Sequence, residues 1–290
     1  MSQHALARTF ADDALEADLE RDGFVVVDLL HPEQVGALRD VFEDLDHPIR
    51  HGFFASNETE AVDYKRETVG RVQEIVGPAV LALLAGHRLI GGFFMIKWPD
   101  EDSAMAPHLD WSLVDEERFR SVSAWIPLTD TDGRNGALVC VRGSHHRVRN
   151  THRGSPDFPT TTEVGHLADE LPAEDHRRFD LRPGQAVLYT HQTIHYSAPN
   201  TTDRPRPAVN IAALPNDAVL VHHRLLEDGR VERQWVDDTF VESWRRGDEP
   251  PAPLRVDTVE RVDHLDAAPK PTAAAGEGSG DGLRRRWWRR

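Results

Sequence analysis

The sequence predicts an α+β chain with a mainly β core: a sandwich or barrel of short antiparallel strands, preceded by helices. Two observations carry this expectation. Through the first 90 residues apolar side chains recur mostly at helical spacing, with a single β-branched run among them. From Arg88 onward short apolar runs alternate with turns rich in Gly, Asn and Pro. Helices first and many strands afterwards is the order of an α+β fold, not of repeating βαβ units.

Each element has a local reason. Asp12 and Asp13 open an acidic helix that ends near Asp22-Gly23, and Phe24-Val25-Val26-Val27 reads as a strand. Pro32 stands at a first helical position, and Val35, Leu38, Val41, Phe42 and Leu45 follow at helical spacing. A third helical stretch runs from about Glu67 to Leu84, with a kink or break expected at Gly77-Pro78. Leu89 to Trp98 is apolar apart from Lys97, as in a strand covered on both faces. In Ser121 to Leu128 alternation sets Val122, Ala124, Ile126 and Leu128 on one face, Ser123 and Trp125 on the other. Further strands are expected at Ala137–Val141, Ala186–Tyr189, Arg206–Leu214 and Ala218–Leu225, with turns at Asn135-Gly136 and Pro183-Gly184. The reading is one domain over residues 1–266. Residues 267–290 are rich in Ala, Pro, Gly and Ser and are expected to be a disordered tail with the basic tip RRRWWRR.

Composition excludes several classes. A net charge of −15 argues against a body that tracks nucleic-acid phosphates. The single cysteine, Cys140, rules out an intramolecular disulfide and fits a reducing compartment; inside an apolar strand it reads as a small buried hydrophobe. Acidic residues at 12, 13, 16 and 18 stand where a secretory signal needs an apolar run, and no stretch approaches the ~20 apolar residues of a membrane span. A cytoplasmic protein without membrane or nucleic-acid partners is expected. Oligomeric state is open.

The chemistry starts at His108-Leu109-Asp110. In an extended segment residues i and i+2 share a face, so the imidazole and the carboxylate project together. One later histidine, His191 or His195, would complete a two-histidine, one-carboxylate triad with positions left for substrate and oxygen on Fe(II). A second copy of the pattern, His264-Leu265-Asp266, precedes the low-complexity tail and has no histidine after it. Downstream, Arg204 and Arg206 enter a strand with the same parity. A planar, always charged guanidinium grips a carboxylate with two parallel hydrogen bonds, which suits a keto-acid cosubstrate held beside a metal.

Motifs in a fixed order add a resemblance. Asp22-Gly-Phe-Val-Val-Val, Ala106-Pro-His-Leu-Asp-Trp111, Trp125-Ile-Pro-Leu, Asn135-Gly-Ala-Leu, Gly143-Ser-His145, Arg182-Pro-Gly-Gln185 and His195-Tyr-Ser-Ala-Pro-Asn200 follow one another along the chain. From about residue 20 to about 225 the chain thereby resembles the phytanoyl-CoA dioxygenase family of Fe(II)/2-oxoglutarate oxygenases. The resemblance implies a double-stranded β-helix (a cupin-like jelly roll) buttressed by the N-terminal helices. It implies His108, Asp110 and His195 as iron ligands, Arg206 and Ser197 as the 2-oxoglutarate clamp, and Trp125 and Lys97 at or near the cosubstrate pocket. It also implies consumption of O2, with release of succinate and CO2. In the halogenating relatives of that family a small residue replaces this carboxylate, so the resemblance with Asp110 in place implies hydroxylation, desaturation or a related oxidation rather than halogenation. The chain departs from the family pattern at Arg142, where proline precedes Gly-Ser-His, and at Tyr196, where glycine follows the histidine.

Around that centre His191, Tyr196, His222 and Arg224 are candidates for the substrate pocket. Phe53-Phe54, residues 112–119, the 145–165 insertion and the 217–225 strand are expected to line it. Arg142, Arg147, Arg149 and Arg224 point towards an anionic group on the substrate, such as a carboxylate or phosphate. Such an oxygenase is expected to act on a small molecule, in bacterial specialised metabolism. His145 and His146 read as a solvated turn. The rival class is a non-oxidative cupin-like hydrolase or ligand-binding module, which has no need of an Arg206–Ser197 clamp.

Overall fold

Asp12 starts the first helix as its N-cap, accepting from the backbone N–H groups of Ala14 (2.8 Å) and Leu15 (3.0 Å). The helix α1 (Asp13–Asp22) ends on Gly23 at φ 85°, a left-handed position. The structure, a computed structural model, describes residues 6–148, 153, 161–243 and 252–259. After α1 come β1 (Phe24–Asp28), α2 (Pro32–Asp44), β2 (Phe53–Ala55), α3 (Val62–Leu83), β3 (His87–Lys97), β4 (Met105–His108), β5 (Val122–Pro127) and β6 (Leu138–Val141). There follow α4 (Thr161–Glu170), β7 (His176–Arg178), β8 (Gln185–Thr190), β9 (His195–Ser197), β10 (Arg206–Pro215), β11 (Leu220–Leu225), β12 (Val231–Val236), α5 (Phe240–Ser243) and β13 (Arg255–Val259). The tail at 267–290, with its basic tip, lies outside the described residues.

Of the kink or break expected at Gly77-Pro78, the break does not occur: α3 runs through both residues. Proline removes one helical hydrogen bond. Val69, Val72, Val76 and Val80 nevertheless stay buried on one side of the helix, and Gly77 allows close approach to β3: a Cβ there would sit 3.0 Å from Leu89 Cδ1. Packing along the whole helix outweighs the single lost bond.

A six-stranded antiparallel sheet of order β1-β8-β5-β10-β3-β2 and a four-stranded sheet β4-β9-β6-β7 form a jelly roll, and β11-β12-β13 make a third sheet. The large sheet is two-faced. Val25, Phe94, Ile96, Val122, Ala124, Ile126, Leu188, Val209 and Ile211 pack with α1, α2 and α3. The alternate residues Phe24, Trp125, Val187, Tyr189 and Ala208 join Leu138 and Cys140 of the small sheet. The period-2 alternation expected for 121–128 is therefore the boundary between a helix-backed core and the interior of the roll. Among the described residues no helix is long and apolar enough to cross a membrane.

The two sheets are joined where the chain leaves β8 and enters β9. This crossing is pinned at Gly23: Thr190 N–H (3.0 Å) and Thr193 Oγ1 (2.8 Å) both donate to the Gly23 carbonyl. A Cβ at Gly23 would lie 2.6 Å from Thr193 Oγ1 and 2.6 Å from His145 Nδ1, so glycine is required by both its φ and its neighbours. His145, expected in a solvated turn, is instead buried, with Nε2 3.1 Å from the Glu20 carbonyl; His146 is exposed.

Burial, reinforced by His146, pushes the His145 imidazole down to about 4. On acidification the unfolded chain therefore takes up this proton near pH 6.5 and the folded chain only near pH 4. Stability should fall through that window, by about 3 kcal/mol at most from this one group. Denaturant titrations at several pH values should show a shallower loss between pH 6.5 and 4 for His145→Gln than for the wild type.

Candidate active site

A cavity of about 220 Å³, open to solvent, lies inside the roll. Its long wall is the interior face of β10, where Arg206, Asn210 and Ala212 line it in turn. Opposite, β4 and β9 pair so that His108 faces His195 and Met105 faces Ser197. Asp110 follows β4 by two residues, and all of these side chains border the cavity.

His108, Asp110 and His195 each offer a ligand atom, and these atoms lie within 4.8 Å of one another. Both imidazoles are oriented the same way. His108 Nδ1 is 2.8 Å from the Ala106 carbonyl and His195 Nδ1 is 3.0 Å from the Thr193 carbonyl. A carbonyl only accepts, so each Nδ1 carries the proton and each Nε2 is left with a lone pair. His195 Nε2 is 3.5 Å from Asp110 Oδ1. Burial, together with the neighbouring His195, pushes His108 down to about 4 and keeps it neutral. Burial alone would raise the Asp110 carboxyl, but His195, His191 and His108 more than offset it and hold the group well below the usual carboxylate range. Two imidazole nitrogens and one carboxylate oxygen converging in this way are a donor set for a divalent metal.

Arg206, at the first position of β10, is 2% exposed and has no carboxylate partner among the described residues. Its guanidinium lies over the Trp125 ring at 5.3 Å and donates to the Met95 (3.3 Å) and Gly136 (3.4 Å) carbonyls, while Nε is buried without any partner. Burial pushes the group down to about 9, which leaves it charged at neutral pH. Arg204 is exposed, before the strand begins, and borders only a surface depression. Strand parity could not separate these two arginines; the start of the strand does.

His191 lies in the turn after β8, not on one strand face with His195, and reaches the cavity 3.1 Å from Ser123 Oγ. Tyr196 lines the cavity, with its hydroxyl 3.0 Å from His176 Nδ1. Lys97, expected at or near the pocket, is fully buried directly behind its wall: its ammonium donates to the Ser103 carbonyl and lies over the Phe53 ring, and its stem packs where a Cβ on Gly136 would stand. Other expectations are corrected. His222 and Arg224 belong to the third sheet, outside the cavity. His222 packs on Phe240 beside Gln234, and Arg224 pairs with Glu232 (3.0 Å). Arg142 is exposed and 3.6 Å from Asp22, Arg147 does not line the cavity, and Arg149 lies outside the described residues. Phe53 and Leu113 line the cavity as expected, whereas residues 217–225 do not; Asn57, Phe93, Met95 and Val241 were not anticipated.

Sequence reasoning also missed Arg153. Its guanidinium is buried in a tight pair with Glu116, and its Nε donates to the Asp110 carbonyl at 2.8 Å. Its backbone N–H and Ser112 Oγ are 2.9 Å apart. One side chain thus holds the segment that carries Asp110. No local pattern signals a partner more than 40 residues away in sequence.

A jelly roll whose cavity is bordered by a His-x-Asp…His cluster and a buried arginine is the arrangement of the non-haem Fe(II)/2-oxoglutarate-dependent oxygenase class. The chain belongs to the phytanoyl-CoA dioxygenase family, whose model matches residues 19–208. It is 27% identical over 151 residues to phytanoyl-CoA dioxygenase domain-containing protein 1 of Danio rerio, a match spanning 49% of this chain and 47% of that protein. It is 26% identical over 230 residues to an ectoine dioxygenase of Nocardia farcinica, spanning 64% of this chain and 72% of the relative. In fold it is similar to the non-haem α-ketoglutarate-dependent carbocyclase SnoK from nogalamycin biosynthesis. That likeness has a TM-score of 0.55 at 18% identity, over 87% of this chain and 99% of the other.

Removing one partner of the buried Arg153–Glu116 pair strands the other charge. Arg153→Met should therefore lower unfolding free energy by about 3–5 kcal/mol, measured by chemical denaturation. A loss below 1 kcal/mol would show that the pair carries no such role.

Proposed function

We propose that this chain is an Fe(II)- and 2-oxoglutarate-dependent dioxygenase that hydroxylates a small molecule. The observation that carries the reading is the pairing of two elements across one cavity. Two histidines with oriented Nε2 lone pairs meet a carboxylate, and a buried guanidinium without a carboxylate partner stands nearby. His108, Asp110 and His195 would hold the iron; Arg206, with Ser197 of β9 bordering the same cavity, would take the distal carboxylate of 2-oxoglutarate. When bound, iron and keto acid activate O2, converting 2-oxoglutarate to succinate and CO2 and inserting oxygen into a substrate C–H bond.

The rest of the work falls to the protein. Trp125 covers the Arg206 guanidinium and keeps water from it. Burial raises the worth of every charge–charge contact in that corner of the roll. Ile90, Phe93, Met95 and Leu113 give the remaining wall an apolar surface, against which the body of a substrate would be placed. Retention of Asp110 supports hydroxylation rather than halogenation. A non-oxidative metal-binding module would gain nothing from a buried, uncompensated arginine, so the second class loses its footing here. The similarity to an ectoine dioxygenase supports a small metabolite as substrate.

Adding Fe(II) and 2-oxoglutarate without oxygen should give a visible charge-transfer band. Asp110→Ala combined with His195→Ala should abolish it, and a band that survives would overturn the assignment. Arg206→Ala should weaken 2-oxoglutarate binding by about 2–3 kcal/mol, roughly 30- to 150-fold, through the loss of charge-assisted hydrogen bonds. Arg204→Ala should leave it unchanged.

A further inference from the structure

The two oxygens of Asp110 are treated differently. Oδ1 faces His195 Nε2 at 3.5 Å, on the side where the ligand atoms converge. Oδ2 accepts a hydrogen bond from Ser123 Oγ at 2.9 Å. The same Ser123 oxygen lies within hydrogen-bonding distance of His191 Nε2, 3.1 Å away. His191 Nδ1 in turn lies 2.9 Å from Ser121 Oγ and 3.1 Å from the Trp111 carbonyl. Ser121, Ser123 and His191 are each no more than 2% exposed, so water does not compete for these bonds.

The ladder places these groups in register. Ser121 and Ser123 flank Val122 at the start of β5, Ser123 pairs with Tyr189 of β8, and His191 N–H donates to the Ser121 carbonyl at 3.3 Å. The large sheet therefore carries a rigid arm that reaches across the roll to a residue positioned by the small sheet.

We propose that Ser123, backed by His191, is a positioning residue that holds the Asp110 carboxylate as a one-oxygen ligand. Tying Oδ2 down turns the carboxylate so that only Oδ1 reaches the metal, which keeps a further coordination position free for cosubstrate or oxygen. The role rests on the metal site proposed above and goes beyond it, because neither residue touches the metal.

Co(II) titrated into the metal-free protein, followed by its visible absorption, tests this without turnover. Ser123→Ala should bind Co(II) about 10- to 100-fold more weakly, with a changed band shape. Ser123→Thr, which keeps the hydroxyl, should restore both. His191→Gln should give a smaller loss in the same direction, and it decides the matter should Ser123→Ala fail to fold. Wild-type affinity and band shape in Ser123→Ala, or in His191→Gln if it is the only variant that folds, would overturn this inference alone. A wild-type protein that binds no Co(II) would overturn the metal site and this inference together.

Discussion

The site depends on one crossing. Between Thr190 and His195 the chain leaves the large sheet and enters the small one, and His195, which pairs with His108 across β4 and β9, takes its place from that turn. Gly23, at the end of α1, holds the crossing by accepting from Thr190 N–H and Thr193 Oγ1. The Thr193 carbonyl then orients His195, and Ile194 N–H donates to Ser144 Oγ at 2.9 Å. A helix C-cap, which elsewhere merely ends a helix, here fixes the position of an imidazole two strands away.

Electrostatics reinforces this geometry because burial is uneven. Glu116 and Arg153 are both enclosed and satisfy each other, so their charges are structural. Arg206 is just as enclosed, yet its neighbours are an aromatic face and two carbonyls at long distance. Two buried arginines in one domain thus have opposite meanings, and the difference is whether a carboxylate of the chain itself is within reach.

Much of this was legible in the sequence, for physical reasons that also mark the limit. Alternation in 121–128 exposes the two faces of β5, and the spacing of His108 and Asp110 follows from strand geometry, because both are local properties. Features set by contacts distant in sequence were not legible. Arg153 meets Asp110 and Glu116 across a loop, and Ser123 read only as a polar residue opposite the core, not as the partner of Asp110. His222 and Arg224 misled because parity says which face a side chain takes but not which sheet the strand joins; among the described residues β11 pairs with β12 alone. Gly77-Pro78 misled because a propensity of one residue yielded to the burial of a whole helix.

The two-faced sheet also bears on how such a protein can change. Along β10, Val209 and Ile211 belong to the core that keeps the chain folded, while Asn210 and Ala212 line the cavity. Folding and substrate choice are written in alternate letters of the same strand. Substitutions at cavity positions can accumulate without opening the helix-backed core, so the substrate range of this scaffold can drift under selection while its architecture stays constant.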